Sequence, residues 1–209
     1  MHISEGILSA PVLAAGAAAA AAGTMAGLKK LDTDHIAQAG ILASAFFVAS
    51  LIHVPIGPSS VHLIMNGIIG LILGWAAFPV ILVALLLQAV FFQFGGLTTL
   101  GVNTCVMAYP AVIAGALTRP LVLQTGLRAK VAAFACGVLS IFLSAVIAGA
   151  ALMATEKGFF NVTLMILAAH LPVMAIEGII TLFGVEFLKK VQPELIGSFK
   201  AQFKAGKGE

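Results

Sequence analysis

The chain has 209 residues, of which 61% are hydrophobic and only 9% are charged. This charged fraction is far below the roughly 25% that is typical of soluble domains, and the apolar stretches are long enough to span about 30 Å of hydrocarbon. The composition therefore predicts a polytopic membrane protein and excludes a soluble globular domain. The formal net charge of +3 does not indicate nucleic-acid binding, because the basic residues lie in short connections and in the tail.

Glycine, proline and charged residues divide the chain into about seven apolar segments, which predicts an all-α fold with about seven transmembrane helices. The segments lie near residues 7–27, 36–54, 61–74, 76–94, 104–118, 131–154 and 162–188. The third and the fifth are too short to cross upright at 1.5 Å per residue, so we expect them to be tilted, broken or partly buried. Residues 1–190 form one predicted transmembrane domain, and residues 191–209 a polar, disordered cytoplasmic tail.

The basic residues predict the orientation of the chain in the membrane. If the N-terminus is outside and there are seven spans, all of the eleven basic residues except Lys157 fall on the cytoplasmic side, as the positive-inside rule requires. These ten are Lys29, Lys30, Arg119, Arg128, Lys130, Lys189, Lys190, Lys200, Lys204 and Lys207. Residues 1–10 contain no Lys or Arg, so we expect the first apolar stretch to be a retained helix rather than a cleaved signal peptide.

The first two residues can form a metal chelate. The free amine of Met1, the backbone nitrogen of His2 and the Nδ1 atom of its imidazole can close two fused chelate rings. Three nitrogens in one plane suit Ni(II) or Cu(II), or Co(II) where the protein enforces that geometry. The alternative is a terminal histidine that only contacts solvent.

The loop between the second and third segments contains two further histidines, His53 and His62. Pro55, Gly57 and Pro58 disfavour a helix between them, so this loop should fold back toward the protein. Either histidine can supply a fourth nitrogen ligand, or it can be a hydrogen-bonded loop residue. His62 follows the flexible Gly-Pro-Ser-Ser stretch and is the better placed of the two.

Three amide side chains, Gln88, Gln93 and Asn103, flank the turn at Gly95-Gly96. They can hydrogen-bond the second nitrogen of an imidazole and so fix its tautomer, or they can cap helices. Cys105 and Cys136 stand alone in apolar stretches and are typical of core residues.

The last apolar segment contains His170 and Glu177 two helical turns apart, on a similar face. Zinc-protease spacing of the HExxH kind is absent, so we expect a buried polar pair or a contact with a neighbouring helix. An intramembrane carboxylate is nevertheless a functional candidate.

Four motifs together resemble a known family. They are Met1-His2-Ile3-x-Glu5-Gly6, the loop residue His62, the stretch QFGGLTTLGVN from Gln93 to Asn103, and His170-Leu-Pro-x-x-x-Ile-Glu177-Gly. This set resembles the membrane substrate-capture (M) components of cobalt and nickel transporters of the energy-coupling-factor type, the CbiM/NikM family. The resemblance covers nearly all of residues 1–190, and the MHI start followed by GGLTTLG is quite specific.

The resemblance implies a seven-helix fold whose N-terminal residues enter an outward-open pocket in a prokaryotic cell membrane. It implies that Met1, His2 and His62 hold a Co(II) or Ni(II) ion, which is the transported substrate and not a permanently bound cofactor. Supporting residues or alternate ligands would come from Glu5, His53, Gln93, Asn103, His170 and Glu177.

The partners implied by the resemblance are a transmembrane coupling (T) subunit, ATP-binding (A) subunits and, in some systems, a small auxiliary membrane subunit. We also expect membrane lipid as a partner, and no nucleic acid. The chain contains no GxxxxGK[ST] phosphate loop, so we expect a transporter subunit rather than an enzyme, with ATP hydrolysis left to the partners.

Other interpretations stay open. The chain can be a substrate-capture subunit for an organic vitamin, an intramembrane metal-dependent enzyme that uses His170 and Glu177, or a helix-packing scaffold without a ligand. The loop sequence Pro58-Ser-Ser-Val-His62 departs from the Gly/Thr/Ser-rich form of many family members. That departure leaves open the fourth ligand, His62 or His53, and the metal, cobalt or nickel.

Overall fold

The computed structural model describes residues 2–31, 36–51, 53–56 and 59–197, with the backbone alone for 53–56 and 59–61. Most of this chain is helical. The helices are α1 (Ala10–Leu28), α2 (Ile36–Ala49), α3 (Asn66–Leu73), α4 (Ala77–Phe92), α5 (Leu100–Val122), α6 (Leu127–Thr155), α7 (Phe160–Val191) and α8 (Pro193–Gly197), with 3₁₀ turns at Gly74–Ala76 and Lys157–Phe159. Strands β1 (His53–Ile56) and β2 (Ser59–His62) form an antiparallel hairpin.

The hairpin lies where the loop was predicted to fold back. Its register pairs His53 with His62 and Pro55 with Ser60. A proline disfavours a helix interior but is tolerated at the edge of a small sheet, which explains a strand pair at this point. The hairpin is a short local addition to a fold that is otherwise helical in the described chain, as the all-α prediction requires.

Five stretches of the described chain are long and apolar enough to cross a membrane. They are Ala10–Leu28, Asn66–Phe92, Leu100–Val122, Leu127–Thr155 and Lys157–Val191. Helix α2 is apolar but has only 14 residues. The structure is thus that of a helical membrane protein, as predicted, while seven crossings and the orientation stay predictions.

The third and fourth predicted segments meet end to end at Gly74, and all residues of α3 are buried. This short segment is therefore a broken helix inside the bundle, one of the outcomes expected for it. The prediction that the fifth segment is too short to cross upright is wrong. Helix α5 has 23 residues and continues through Pro110 and Pro120. The polar residues near its start are compatible with a helix, because Thr104 donates its hydroxyl hydrogen to the carbonyl of Leu100, one turn earlier, at 2.8 Å.

Helix α3 lies in the centre of the bundle because its backbone can approach its neighbours closely. A Cβ at Gly67 would lie 2.6 Å from the Thr181 hydroxyl of α7 and 2.9 Å from the Gly137 backbone of α6. Glycine at this crossing brings the start of α3 against α6 and α7. The segment that precedes α3, which carries His62, is thereby placed next to the middle of α7.

Basic side chains meet at one end of the bundle. Lys130 of α6 and Lys189 of α7 both lie 3.9 Å from the Glu186 carboxylate, and Arg119 of α5 donates to the carbonyl of Ile196 in α8 at 3.0 Å. These three basic residues are among the ten that the sequence places on the cytoplasmic side, and the orientation itself stays a prediction.

The predicted tail begins with ordered chain. Residues Pro193–Gly197 form α8, whose Ile196 is buried, so these five residues are more ordered than the sequence predicts. The rest of the tail, residues 198–209, lies outside the described residues, and its disorder stays a prediction. Cys105 and Cys136 are buried, free thiols, in agreement with their interpretation as core residues.

Candidate metal centre

His2 and Ile3 are buried in the bundle, and Asn103 of α5 holds this part of the N-terminal segment. Ile3 is fully buried. Its backbone N–H donates to Asn103 Oδ1 at 2.8 Å, and Asn103 Nδ2 donates to the Ile3 carbonyl at 3.0 Å. The amide side chain thus pairs with both backbone groups of Ile3, as a neighbouring strand would, and removes the penalty for burying them unpaired.

A second set of hydrogen bonds holds the segment two residues later, at Glu5. The backbone N–H of Glu5 donates to the Gly95 carbonyl at 3.1 Å, and Glu5 Oε1 accepts from the N–H and the hydroxyl of Thr98 at 2.9 and 3.2 Å. These hydrogen bonds from Thr98, the backbone one first, lower the pKa of the exposed Glu5 carboxyl. Glu5 is therefore an ionised anchor for the N-terminal segment, and its part in a metal site stays a prediction.

Two glycines make this docking possible. Gly95 and Gly96 have φ values of +74° and +131°, which a side chain rarely adopts. A Cβ at Gly95 would lie 2.7 Å from Asn103 Nδ2 and 3.4 Å from His2 Cδ2, and one at Gly96 would collide with the Glu5 side chain. The stretch GGLTTLG therefore forms the surface against which residues 2–5 pack.

His2 is 5% exposed, and its ring is held by a chain of hydrogen bonds from α4 to the end of α2. His2 Nε2 lies 2.8 Å from Gln88 Oε1, the Gln88 amide donates to Ser50 Oγ, and Ser50 donates to the Phe47 carbonyl at 2.9 Å. Because the Ser50 hydrogen is engaged with Phe47, its oxygen must accept from the Gln88 amide, and Gln88 Oε1 is left to accept from His2 Nε2–H. In the neutral ring Nδ1 then bears no proton, and this is the nitrogen that the predicted chelate uses.

His62 lies against His2. The two ring centroids are 4.5 Å apart with 28° between the ring planes, and His62 is 3% exposed. Its Nδ1 is 3.1 Å from the Leu63 carbonyl and donates to it, so Nε2 carries the lone pair. Burial, which disfavours the charged form, lowers the pKa of His62 to about 4, so the ring is a neutral potential ligand at physiological pH.

Some predicted site residues cannot be placed beside this pair. Met1 lies outside the described residues, as does the side chain of His53, whose backbone pairs with that of His62. Gln93 is exposed at the end of α4 with a φ of 56°, and Gln88, one turn earlier, is the amide that contacts His2.

The predicted pair of His170 and Glu177 is not formed. His170 Nδ1 donates to the Ile166 carbonyl at 2.6 Å. Glu177 Oε1 accepts from the backbone N–H of Met65 at 2.8 Å and from that of Ile64. Each side chain binds backbone instead of the other, and within the described chain His170 Nε2 and Glu177 Oε2 have no hydrogen-bond partner.

The described residues contain no cluster of three His, Cys, Asp or Glu side chains that could hold a metal ion. A chelate built on an amine, a backbone amide and two imidazoles does not need such a cluster. What the structure brings together is two buried imidazoles, His2 and His62, with ring centroids 4.5 Å apart and each with a hydrogen-bond partner on one ring nitrogen. Nitrogen donors of this kind suit borderline transition-metal ions.

Three supporting side chains were missed by sequence reasoning: Ser50, Thr98 and Thr99. Thr99 is fully buried, and its hydroxyl accepts from Asn103 Nδ2 at 3.1 Å. The signal for the threonines was present, because both stand inside GGLTTLG. Ser50 had only the weak signal of one polar residue near the end of an apolar segment.

Comparisons with known proteins identify the family. A family model described as the cobalt uptake substrate-specific transmembrane region, CbiM, matches residues 2–195. A putative metal transport protein of Haemophilus influenzae is 45% identical over 199 residues, which cover 94% of this chain and 97% of that protein. The fused nickel transport protein NikMN of Rhodobacter capsulatus is 34% identical over 228 residues, which cover 96% of this chain and 65% of that protein.

Among solved structures, a crystal structure of a transition metal transporter matches with a TM-score of 0.80 and 27% identity, covering 91% of this chain and 93% of that one. The resemblance seen in the sequence motifs is thereby confirmed over the full transmembrane region. The chain belongs to the CbiM family of cobalt-uptake transmembrane proteins and is a multi-pass membrane transport protein.

Proposed function

We propose that this chain is the substrate-binding membrane subunit of an ATP-driven uptake transporter for Co(II) or Ni(II). The observation that carries the proposal is His2, buried inside the bundle against His62, with its protonated Nε2 held by Gln88. Nothing in the fold alone requires a terminal histidine to be buried with an assigned tautomer. A metal chelate at the N-terminus does require it.

The proposed ligands are the Met1 amine, the backbone nitrogen and Nδ1 of His2, and His62. A hydrated ion exchanges water for these nitrogens, and the amine and the His2 amide lose protons, so affinity rises with pH. The amide anion lowers the charge of the complex, which matters because a bare divalent ion is costly inside a membrane. Imposed planarity disfavours Zn(II), which prefers a tetrahedron.

The proposed direction of transport follows from the charge distribution. The basic end of the bundle faces the cytoplasm, and the N-terminal site faces the side from which the ion arrives. Release inward is driven by a T subunit and ATP-hydrolysing A subunits, with a small auxiliary membrane subunit in some systems. The name of the R. capsulatus relative, a fused nickel transport protein, supports association with further transporter components.

The test is Ni(II) and Co(II) titration calorimetry, with metal content by mass spectrometry, on protein that starts at Met1 with a free amine. The comparison proteins carry two alanines ahead of Met1, two alanines after Glu209 as the matched control, or His62→Ala. A single added residue would put the histidine third in the chain, where an amine, two amides and the imidazole form another Ni(II) chelate. We expect the N-terminal addition to abolish stoichiometric binding, His62→Ala to weaken it, and the C-terminal addition to leave it unchanged.

If the N-terminally extended protein binds as tightly as the native one, the chelate is wrong. Absence of metal binding by the native protein would favour an organic substrate, such as a vitamin, for the same subunit. The titrations on the native protein also rank Ni(II) against Co(II), which the ligand types alone do not separate.

A further inference from the structure

Glu177 lies in the middle of α7, fully buried, and its carboxylate is directed at the chain segment that follows His62. One oxygen, Oε1, accepts the backbone N–H groups of both Ile64 and Met65. These donors stand between β2, which ends at His62, and α3, which begins at Asn66. The acid of one helix is therefore the acceptor for the connection that carries a proposed ligand.

That connection needs an external acceptor. Met65 caps the start of α3 with φ 57°, in the left-handed region that side chains beyond glycine rarely adopt. The N–H groups just before and at the start of a helix have no partner within the helix, and a negative charge at this end is favourable. Glu177, which is fully buried, satisfies both needs from α7.

We propose that Glu177 is the positioning residue for His62: by accepting Ile64 N–H and Met65 N–H it fixes the segment 63–65, and so holds the His62 ring against His2. The inference rests on the proposed metal site and adds a residue to it. Glu177 acts through the backbone two and three residues after His62. The proposed role belongs to Oε1, the carboxylate oxygen that these two N–H groups engage.

Substitutions of Glu177 can separate two of its properties, namely its ability to accept hydrogen bonds and its negative charge. Glutamine at position 177 keeps a carbonyl oxygen at nearly the same reach and loses only the charge. Alanine removes the acceptor and frees segment 63–65. Thr181, one turn along the same face of α7, is fully buried, and its hydroxyl has no partner in the described chain, so Thr181→Val is a near-isosteric control on the same helix.

The experiment measures Ni(II) affinity by titration and the absorption spectrum of the Ni(II) complex for E177A, E177Q, H62A, E177A/H62A and T181V, with circular dichroism as the folding check. We expect E177A to weaken affinity about 10- to 100-fold, as loss of ligand support does elsewhere. Its spectrum should match that of H62A. The double variant should bind no more weakly than H62A, because both changes remove the same ligand. E177Q and T181V should keep the native spectrum.

Two results overturn the positioning role. If the losses of E177A and H62A add in full, Glu177 acts independently of His62. If E177Q loses as much as E177A and its spectrum differs from that of H62A, charge or direct ligation is the role instead. Should E177A not fold, E177D takes its place, since it keeps the charge but withdraws the carboxylate by one methylene. An E177D protein with the native spectrum and affinity would also contradict the proposal.

Failure of the proposed function would be seen separately. If H62A binds Ni(II) as tightly as the native protein, His62 is not a ligand, and the site itself is wrong whatever the Glu177 variants do. If H62A loses its spectrum while E177A keeps the native one, the site stands and only the role of Glu177 falls.

Discussion

His2 and His62 face each other, but the molecule supports them in different ways. The His2 ring is held directly, because Gln88 contacts Nε2, while Asn103 holds the next residue by its backbone. His62 hydrogen-bonds the carbonyl of its own neighbour Leu63, and its chain segment is held from α7 by Glu177. The tautomer of the His2 ring is therefore set by a side chain of α4. The location of the His62 ring is set through the backbone that follows it.

The difference separates two kinds of substitution. Changes around His2 should alter which nitrogen carries the proton, or whether the segment is docked at all. Changes around His62 should alter where the ring lies without altering its chemistry. Substitutions around His2 test its direct support. Their effects on Ni(II) affinity can be compared with those of substitutions that remove the indirect support of His62.

The largest effect is expected from His2→Ala. This change removes Nδ1 and leaves the amine and amide without the ring that completes the chelate, so Ni(II) affinity should fall by more than the roughly 10- to 100-fold typical of losing a supporting residue. Titration calorimetry measures it, and Asn161→Ala, at an exposed asparagine on α7, is the control. Stoichiometric binding by the His2→Ala protein would show that the metal is held elsewhere.

The next effect concerns Gln88. Replacement by leucine removes the acceptor for His2 Nε2–H and leaves Ser50 without its donor, so Ni(II) affinity should fall about 10- to 100-fold. Gln88→Glu keeps the acceptor and should lose less. Gln93→Leu, the same substitution at an exposed position one turn further along, is the matched control and should bind as the native protein does. If Gln88→Leu and Gln93→Leu weaken Ni(II) binding equally, the contact between Gln88 and His2 Nε2 does not determine the affinity.

A smaller effect is expected from Asn103→Ala, which leaves the ligands intact but removes both hydrogen bonds to Ile3. Leaving buried backbone groups unpaired costs about 1–3 kcal/mol, which corresponds to roughly a 5- to 150-fold weaker docking of the segment. Hydrogen exchange at residues 2–5 should accelerate in the metal-free protein. Asn161→Ala, at an exposed asparagine on α7, should leave the exchange rates unchanged.

How far the sequence determines this picture differs between the two histidines. The apolar segments predicted the helices with shifted ends, and the resemblance predicted that the N-terminal residues enter a pocket. The glycine pair and the terminal chelate are visible as residue types, but docking of residues 2–5 at Gly95 and Gly96 was not predicted. It depends on a contact between distant parts of the chain.

The support for His62 could not be anticipated either. Glu177 accepts from the backbone of Ile64 and Met65, and backbone donors have no sequence signal. Its apparent partner by spacing was His170, two turns away on the same helix, but the glycine crossing of α3 with α7 brings a different chain segment closer. Choosing Gln88 over Gln93 likewise needed the end point of α4, which an apolar run does not specify to within a turn.

The smallest effect is a pH dependence at Glu5. Hydrogen bonds from Thr98 lower the folded-state pKa of this carboxyl below its ordinary value near 4.3, so they stabilise the docked segment at pH values above about 4.3. That contribution is lost as the pH falls through the lowered, folded-state pKa. Thr98→Val should raise the pKa of Glu5 toward its ordinary value, which carboxyl-carbon NMR titration of the metal-free protein measures directly.

The same titration distinguishes docking from local chemistry. If the hydrogen bonds act only on Glu5, Thr98→Val shifts that titration and leaves hydrogen exchange at residues 2–4 unchanged. We expect both to change together, because the carboxylate is anchored to the turn that also holds the Glu5 backbone at Gly95. An exposed anchor of this kind contributes little on its own, and its loss should weaken Ni(II) binding less than any change at Gln88 or Asn103 does.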